Sequence, residues 1–246
     1  KQKPKNTRTT TPPSAASPPR LAPLAARLAF SSPWHASLGA AFWRAGAAER
    51  IVRGALSLVG ERNAAVAFCG SAFVLGIPVF FDSLFLLAIP LVKATWLKVK
   101  KNYVLFVVAL VAGGTMTHSL VPPTPGPLFV AEELGVNLGT MILVGMAVGI
   151  CCSTVGLLYA RWLNKRMEVP LRETPEAMKK LEELARRDIS ELPSLSLSLL
   201  PILLPVALIS GVTIYKSGLD PTQEAHPILS LLGDKTVALT IAAAVA

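Results

Sequence analysis

The stretch that decides the fold is an uncharged run interrupted by prolines, NYVLFVVALVAGGTMTHSLVPPTPGPLFVA (102–131). Four prolines within residues 122–127 cannot continue an α-helix, because proline lacks the N–H donor and its ring clashes with the preceding turn. The run is nevertheless longer than the roughly 20 apolar residues that cross a bilayer. We therefore predict a discontinuous membrane-spanning helix over residues 102–134. An extramembrane loop between two helices is the alternative.

Three other runs are equally poor in charge. Residues 64–92 carry only Asp82, and residues 134–160 and 192–215 carry no charged side chain. Charged residues make up 16% of the chain, against about 25% in an average globular domain. These runs predict an all-α polytopic membrane protein. We expect further spans at 135–160 and 193–215, and a truncated span at 236–246.

Lysine and arginine concentrate in three segments between these runs, namely 44–63, 93–101 and 161–192. The positive-inside rule places all three in the cytoplasm. Residues 64–92 then have to enter and leave on the same side. As one helix they would rise about 43 Å, which is too long for one upright span and too short for two. We predict a re-entrant hairpin with its tip near Gly76–Ser83, and a tilted, kinked helix is the alternative.

Two segments lie outside the predicted spans. Residues 1–38 form a basic arm rich in Pro, Thr and Ser, followed by an atypical segment, and we expect its first 20 residues to be disordered. Within the cytoplasmic segment 161–192, PEAMKKLEELARR (175–187) has the pattern of a short amphipathic helix with Thr174 as its N-cap. We predict that this helix is a solvated connector near the bilayer surface. Residues 39–246 would form a partial membrane transport domain.

Several function classes find no support in the sequence. No phosphate-binding loop, zinc-protease motif, nucleophile elbow or dinucleotide fingerprint is present, so we expect no enzyme and no cofactor. The three cysteines lie in apolar runs without metal-ligand spacing, which predicts packing residues and no metal site. The basic arm lacks interleaved aromatic residues, so we expect no nucleic-acid partner.

Each predicted helix break carries polar side chains. Broken helices in secondary transporters expose helix ends to substrates and ions near the bilayer midplane. An acid at membrane depth is costly, so Asp82 is the candidate proton-coupling residue, with a helix-capping acid as the alternative. His118 is expected to bind substrate or relay a proton, unless it is a packing histidine. The candidate substrate-binding residues are Thr117, His118, Ser119, Thr124 and Gly126.

These two breaks carry a family resemblance. The sequences GIPVFFDSLF (76–85) and THSLVPPTPGP (117–127) resemble the signatures of the gluconate permease (GntP) family of proton symporters, and the similarity covers about residues 39–246. The family commonly has Glu where Asp82 stands and His where Thr124 stands. Its members run to roughly twice this length, so the resemblance implies one half of an inverted-repeat transporter of the ion-transporter superfamily type.

The resemblance also implies a function. It predicts a multi-pass protein of the bacterial inner membrane that imports gluconate or a related sugar acid by proton symport. The partners would be the sugar-acid anion, a proton and the lipid bilayer. Alternatives are a permease for another small organic anion, such as glycerate or a keto-sugar acid, and an inactive membrane remnant.

Overall fold

The computed structural model describes residues 46–167, 169–172, 174–186, 188–217 and 227–245, and within these residues all regular structure is helical. Short 3₁₀ helices cover Glu61–Asn63 and Ile189–Glu191. The α-helices are α1 (Ala47–Val59), α2 (Ala64–Leu75), α3 (Phe81–Val99), α4 (Tyr103–Leu120), α5 (Pro125–Glu133), α6 (Leu138–Arg166), α7 (Pro175–Arg186), α8 (Leu195–Ser217), α9 (Pro227–Leu232) and α10 (Lys235–Val245).

Three apolar helical stretches in the described part of the chain are long enough to cross a bilayer. They are the α4–α5 pair over Tyr103–Glu133, helix α6, and residues Leu195–Lys216 of α8. Helix α6 buries few of its residues, and large apolar side chains such as Leu143, Val144 and Val148 are exposed along it. Exposed apolar faces of this size suit contact with lipid or with other apolar segments. The predicted all-α polytopic fold is confirmed.

Helix α1 corrects the sequence prediction that residues 44–63 are a loop. Alanine and branched side chains at Ala47, Ala48, Ile51 and Val52 recur at helical spacing and are buried, which gives the segment an amphipathic helix with one face in the core. Charged side chains occupy its other face, and the prediction of a loop was based on them. Helices α1 and α2 meet at an angle of 109°, and Gly60 between them has a φ of 80°, a conformation that favours glycine.

Helices α2 and α3 are separated by the short turn 76–80, close to the predicted hairpin tip. Helix α3 then continues to Val99, so the expected loop at 93–101 is wrong over most of its length. The chain reverses through Lys100 and Asn102, which both adopt left-handed φ values of 58° and 64°. Lys93 and Lys98 therefore lie on the last turns of a helix. The re-entrant path of 64–92 through the membrane stays a prediction.

Helix α4 forms the centre of the fold because glycines let its neighbours approach closely. A Cβ atom at Gly113 would collide with the carbonyl oxygen of Cys69 on α2. A Cβ at Gly145 on α6 would collide with the carbonyl oxygen of Leu120 at the end of α4. The core of α1, α2, α3 and α4 includes the fully buried rings of Phe68 and Phe106, whose centroids are 5.7 Å apart.

Helix α7 packs one face against α1 and α3, a contact that the predicted solvated connector did not include. Thr174 is its N-cap as predicted, because its Oγ1 accepts the Ala177 N–H at 3.3 Å. The side chain of Leu181 is buried, and the carbonyl of Leu184 accepts a hydrogen bond from the guanidinium of Arg53 on α1. The helix thus buries its apolar face against protein, and its position beside the bilayer stays a prediction.

Candidate substrate site at the two helix breaks

The two helix breaks lie side by side, although they are far apart in sequence. A Cβ atom at Gly76 would lie 3.0 Å from the carbonyl oxygen of Gly114 on α4. A Cβ at Gly114 would in turn lie 3.0 Å from the ring of Phe81 and 2.8 Å from Leu84. Because glycine has no Cβ, the backbones approach closely here, and the start of α3 packs against the last turns of α4.

Phe80 and His118 make the contact between the polar clusters of the two breaks. Their ring centroids are 5.5 Å apart, with the ring planes inclined at 59°. This spacing is typical of an attractive aromatic pair. Phe80 directly precedes α3 and His118 lies in the last turn of α4, so the contact fixes the imidazole relative to the start of α3.

Asp82 lies near His118 across the same contact. Asp82 is exposed in the first turn of α3, and its carboxylate is close enough to act electrostatically on the half-buried imidazole of His118, although the two side chains form no ion pair. The Nδ1 atom of His118 is buried and has no hydrogen-bond partner among the described residues. A buried polar atom without a partner is unfavourable, and it gains free energy from any ligand that supplies one.

Thr117 and Ser119 flank the histidine but face different surroundings. Thr117 is fully buried, and its Oγ1 donates to the Gly113 carbonyl at 3.2 Å within its own helix. Ser119 is exposed. Of the two hydroxyls, the structure therefore places only that of Ser119 on the accessible surface. Thr117 instead supports the α4 backbone beneath His118.

Thr124 ties the two halves of the broken helix together. Its side chain is 2% exposed, and its Oγ1 lies 2.8 Å from the carbonyl oxygen of His118 and 2.9 Å from that of Val121. A hydroxyl has one proton, so the two carbonyls share a single donor. This bond satisfies part of the carbonyl end of α4 and leaves only the lone pairs of Thr124 for a ligand.

The start of α5 offers few free N–H groups, because two of its first three residues are prolines. The helix begins at Pro125, and the nitrogens of Pro125 and Pro127 carry no hydrogen. The Leu128 N–H donates to the Thr124 carbonyl at 3.1 Å. Gly126 is therefore the residue whose N–H has no acceptor within the helix. This N–H, together with the positive end of the helix dipole, is what the first turn of α5 offers an anion.

The residue that carries this donor is accessible. Gly126 is exposed, and a Cβ atom built on it would meet no heavy atom within 4 Å. Glu132 and Glu133 are also exposed, at the far end of α5. No group of His, Cys, Asp or Glu with metal-binding geometry occurs in the described ranges of the chain. The arrangement can hold a small anion by hydrogen bonds and charge.

Sequence inspection missed two kinds of residue at this site. Phe80 was part of a quoted motif but had no assigned role, and Gly114 and Gly145 were only apolar-run residues. The signal for the glycines is their spacing with other small residues, since Gly145, Gly149 and Ser153 recur along one buried face of α6. For Phe80 no sequence signal identifies the partner ring.

Comparison with known proteins decides the family of this chain. Residues 29–246 match the family described as GntP family permease. The chain belongs to this family. An uncharacterised permease of Haemophilus influenzae is 35% identical over 83% of the chain and 44% of the relative. A gluconate permease of Zymomonas mobilis is 33% identical over 83% of the chain and 45% of the relative. The D-serine transporter DsdX of Escherichia coli O6:H1 is 31% identical over 82% of the chain and 44% of the relative.

The GntP relatives agree with several expectations from the sequence. The chain spans about half the length of the curated relatives it matches. Their names describe permeases and transporters, as expected for a family of non-enzymes, and the apolar helices fit a multi-pass protein of the bacterial inner membrane. No solved structure matches the chain significantly.

Proposed function

We propose that this chain provides the substrate site of a secondary active transporter that imports gluconate or a related small carboxylate by proton symport. The observation that carries the proposal is the contact of Phe80 with His118, which joins two helix breaks beside the open N–H of Gly126. Adjacent broken helices are the means by which many secondary transporters hold substrate and coupling ion.

The names of the relatives support a substrate class rather than one substrate. Gluconate and D-serine, which name two of the relatives, both have a carboxylate, a polar group on the next carbon and a hydroxyl on the one after. Glycerate has the same pattern. We propose that the site accepts small carboxylates of this class, and keto-sugar acids are the main alternative.

Each candidate residue has a role in this proposal. The substrate carboxylate accepts a hydrogen bond from the Gly126 N–H, near the positive end of the α5 dipole. A hydroxyl of the substrate contacts the exposed Ser119, and contact with the buried Oγ1 of Thr124 and Nδ1 of His118 requires the adjoining helix ends to move apart. Thr117 contributes by holding the backbone of α4 in place. The proposed route of the proton is the Asp82–His118 pair.

The substrate class is tested by uptake into cells that express the full-length protein and lack their own sugar-acid permeases. Labelled gluconate, D-glycerate, 2-ketogluconate and D-serine are supplied with and without an uncoupler. We expect accumulation of at least one 2-hydroxy or 2-amino acid that the uncoupler abolishes. Glucose, which lacks the carboxylate, should not compete. Normal membrane insertion without uptake of any of these compounds would favour an inactive remnant.

The coupling role is tested by Asp82→Asn. An amide cannot exchange a proton at physiological pH, so we expect proton-driven accumulation to be abolished while exchange of labelled for unlabelled substrate continues. Glu133→Gln is the matched control, because Glu133 is an exposed acid at the opposite end of α5. Uphill accumulation by Asp82→Asn at the control rate would remove Asp82 from the proton pathway.

A further inference from the structure

A cavity lies on another face of the molecule, away from the proline break. It has a volume of about 200 Å³ and lies between α1, α3 and the end of α7 with the segment that follows it. The residues that define its character are Arg53, Leu56, Glu61, Leu91, Thr95 and Lys98. Nothing in the proposed transport mechanism uses this cavity.

The wall formed by α3 changes from apolar to charged along one helical face. Leu91, Thr95 and Lys98 follow one another at spacings of four and three residues, so they line a single stripe. Leu91 and Thr95 are buried, whereas Lys98 is exposed at the last turn of the helix. The hydroxyl of Thr95 donates to the Leu91 carbonyl at 2.9 Å, which leaves this part of the wall effectively apolar.

The opposite wall, formed by α1 and the residues after it, also changes from apolar to charged. Leu56 of α1 faces the interior of the cavity, and Glu61 lies at its exposed edge. The remaining charge, Arg53, is already engaged: its Nε pairs with Glu49 at 2.8 Å and its guanidinium donates to the Leu184 carbonyl. The cavity therefore has an apolar floor and two opposite charges at its mouth, those of Lys98 and Glu61.

Lys98 and Glu61 do not neutralise each other. Neither side chain forms an ion pair or a hydrogen bond with any part of the chain that the structure describes. An ammonium group and a carboxylate that face one cavity without touching can both be satisfied by a ligand that carries both charges. A simple anion would satisfy only one of them and would meet repulsion from the other.

Exposed apolar side chains follow the cavity residues along α1. Leu58 and Val59, which follow the cavity residues of α1, are 79% and 37% exposed. Exposed apolar side chains beside lysine and arginine are typical of helices at a membrane surface. The lysines at 93, 98, 100 and 101 predict the cytoplasmic side. A ligand with apolar chains can therefore enter from the cytoplasmic leaflet.

We propose that this cavity binds the head group of phosphatidylethanolamine. Its phosphate accepts from Lys98, its ammonium group donates to Glu61, and the glycerol end of its chains packs on Leu56 and Leu91. Phosphatidylglycerol has the phosphate but no ammonium group, and the choline lipid has a cation that cannot donate a hydrogen bond. The two charges at the mouth therefore select the ethanolamine lipid over both.

The test is native mass spectrometry of the purified protein in detergent with equal amounts of each of the three phospholipids. We expect the wild-type protein to retain the ethanolamine lipid about threefold more than either competitor, the size of effect typical of one partly exposed ion pair. Glu61→Gln should remove this preference and leave binding of phosphatidylglycerol unchanged or stronger. Lys98→Gln should weaken binding of all three lipids.

Lys101→Gln is the matched control, because Lys101 is exposed just after α3 and does not line the cavity. Thermal unfolding of each variant checks that the fold is kept, and we expect all three to melt near the wild type since the changed side chains are exposed. Equal retention of the three lipids by the wild type would overturn the proposal. So would a Glu61→Gln variant that still prefers the ethanolamine lipid.

Discussion

Glycine has opposite roles in two regions of this protein. In the packed region, Gly113 and Gly145 lie where any Cβ atom would collide with the backbone of a neighbouring helix. In the open region, Gly126 lies at the start of α5 with no heavy atom within 4 Å of an added Cβ. Glycine brings helices together in the first region. In the second it leaves space for something that the chain itself does not supply.

The difference teaches how the site is built. Close packing of α2, α4 and α6 holds the end of α4 rigidly, and His118 and Thr124 are placed by that end. The terminus of α5 next to it is left uncovered. A rigid support under an accessible donor is the arrangement that orders a binding site before the ligand arrives, which lowers the entropic cost of binding.

The largest effect is expected from Gly113→Ala. The new methyl group collides with the Cys69 carbonyl, so α2 and α4 must separate, and overpacking of this kind costs about 1–3 kcal/mol or more. Gly70→Ala on α2 is the control, because a Cβ there meets nothing within 4 Å. Replacing glycine inside a helix should stabilise that variant by about 0.5–1 kcal/mol. Thermal unfolding in detergent measures both.

The two alanine variants should therefore shift the melting temperature in opposite directions. A Gly113→Ala protein that melts with or above the Gly70→Ala protein would contradict the close helix approach. It would also mean that the packed glycines do not provide the rigid support described above for the end of α4.

The next effect is expected from Gly126→Val. The isopropyl group extends into open space, so stability should change little, but it should cover the N–H that we propose donates to the substrate carboxylate. We expect about a tenfold loss of substrate affinity, or about 1.4 kcal/mol. Substrate protection of a cysteine placed at Ser119 measures the affinity. Gly211→Val on α8 is the control, since its Cβ also meets nothing within 4 Å.

Unchanged affinity in Gly126→Val, with Gly211→Val behaving like the wild type, would mean that the break is only a structural turn. A loss of affinity in both variants would trace the effect to a general disturbance of the apolar helices. A loss of substrate affinity in Gly126→Val alone would support the distinction between packed and open glycines.

The smallest effect is expected from Thr124→Ala. The variant loses the hydroxyl that donates to the carbonyls of His118 and Val121, which should lower substrate affinity by about 1 kcal/mol. Thr124→Ser retains the hydroxyl and should bind nearly as well as the wild type. The same protection assay compares them. If serine is as poor as alanine, the methyl group rather than the hydrogen bond maintains the break.

The helical segments could be predicted because lipid removes most alternatives. Backbone groups in hydrocarbon have to be paired within a helix, so apolar runs gave helices whose bounds lie close to those observed. The broken helix expected at 102–134 is observed as α4 and α5 over 103–133. Helix α1 was missed because its arginines suggested a loop, although its alanine and branched residues recur at helical spacing.

The sequence by itself determined the apolar helices, a break that begins at the prolines after Val121 and the family, because these depend on local composition and on short motifs. It also identified the polar residues of both breaks. Only the tertiary structure decided which of them meet. The Phe80–His118 contact, the burial of Thr117 and the open space at Gly126 depend on how closely separate helices approach. That distance is set by the carbonyls that Gly113 and Gly145 contact across helices, and local sequence does not specify which carbonyl lies opposite which glycine.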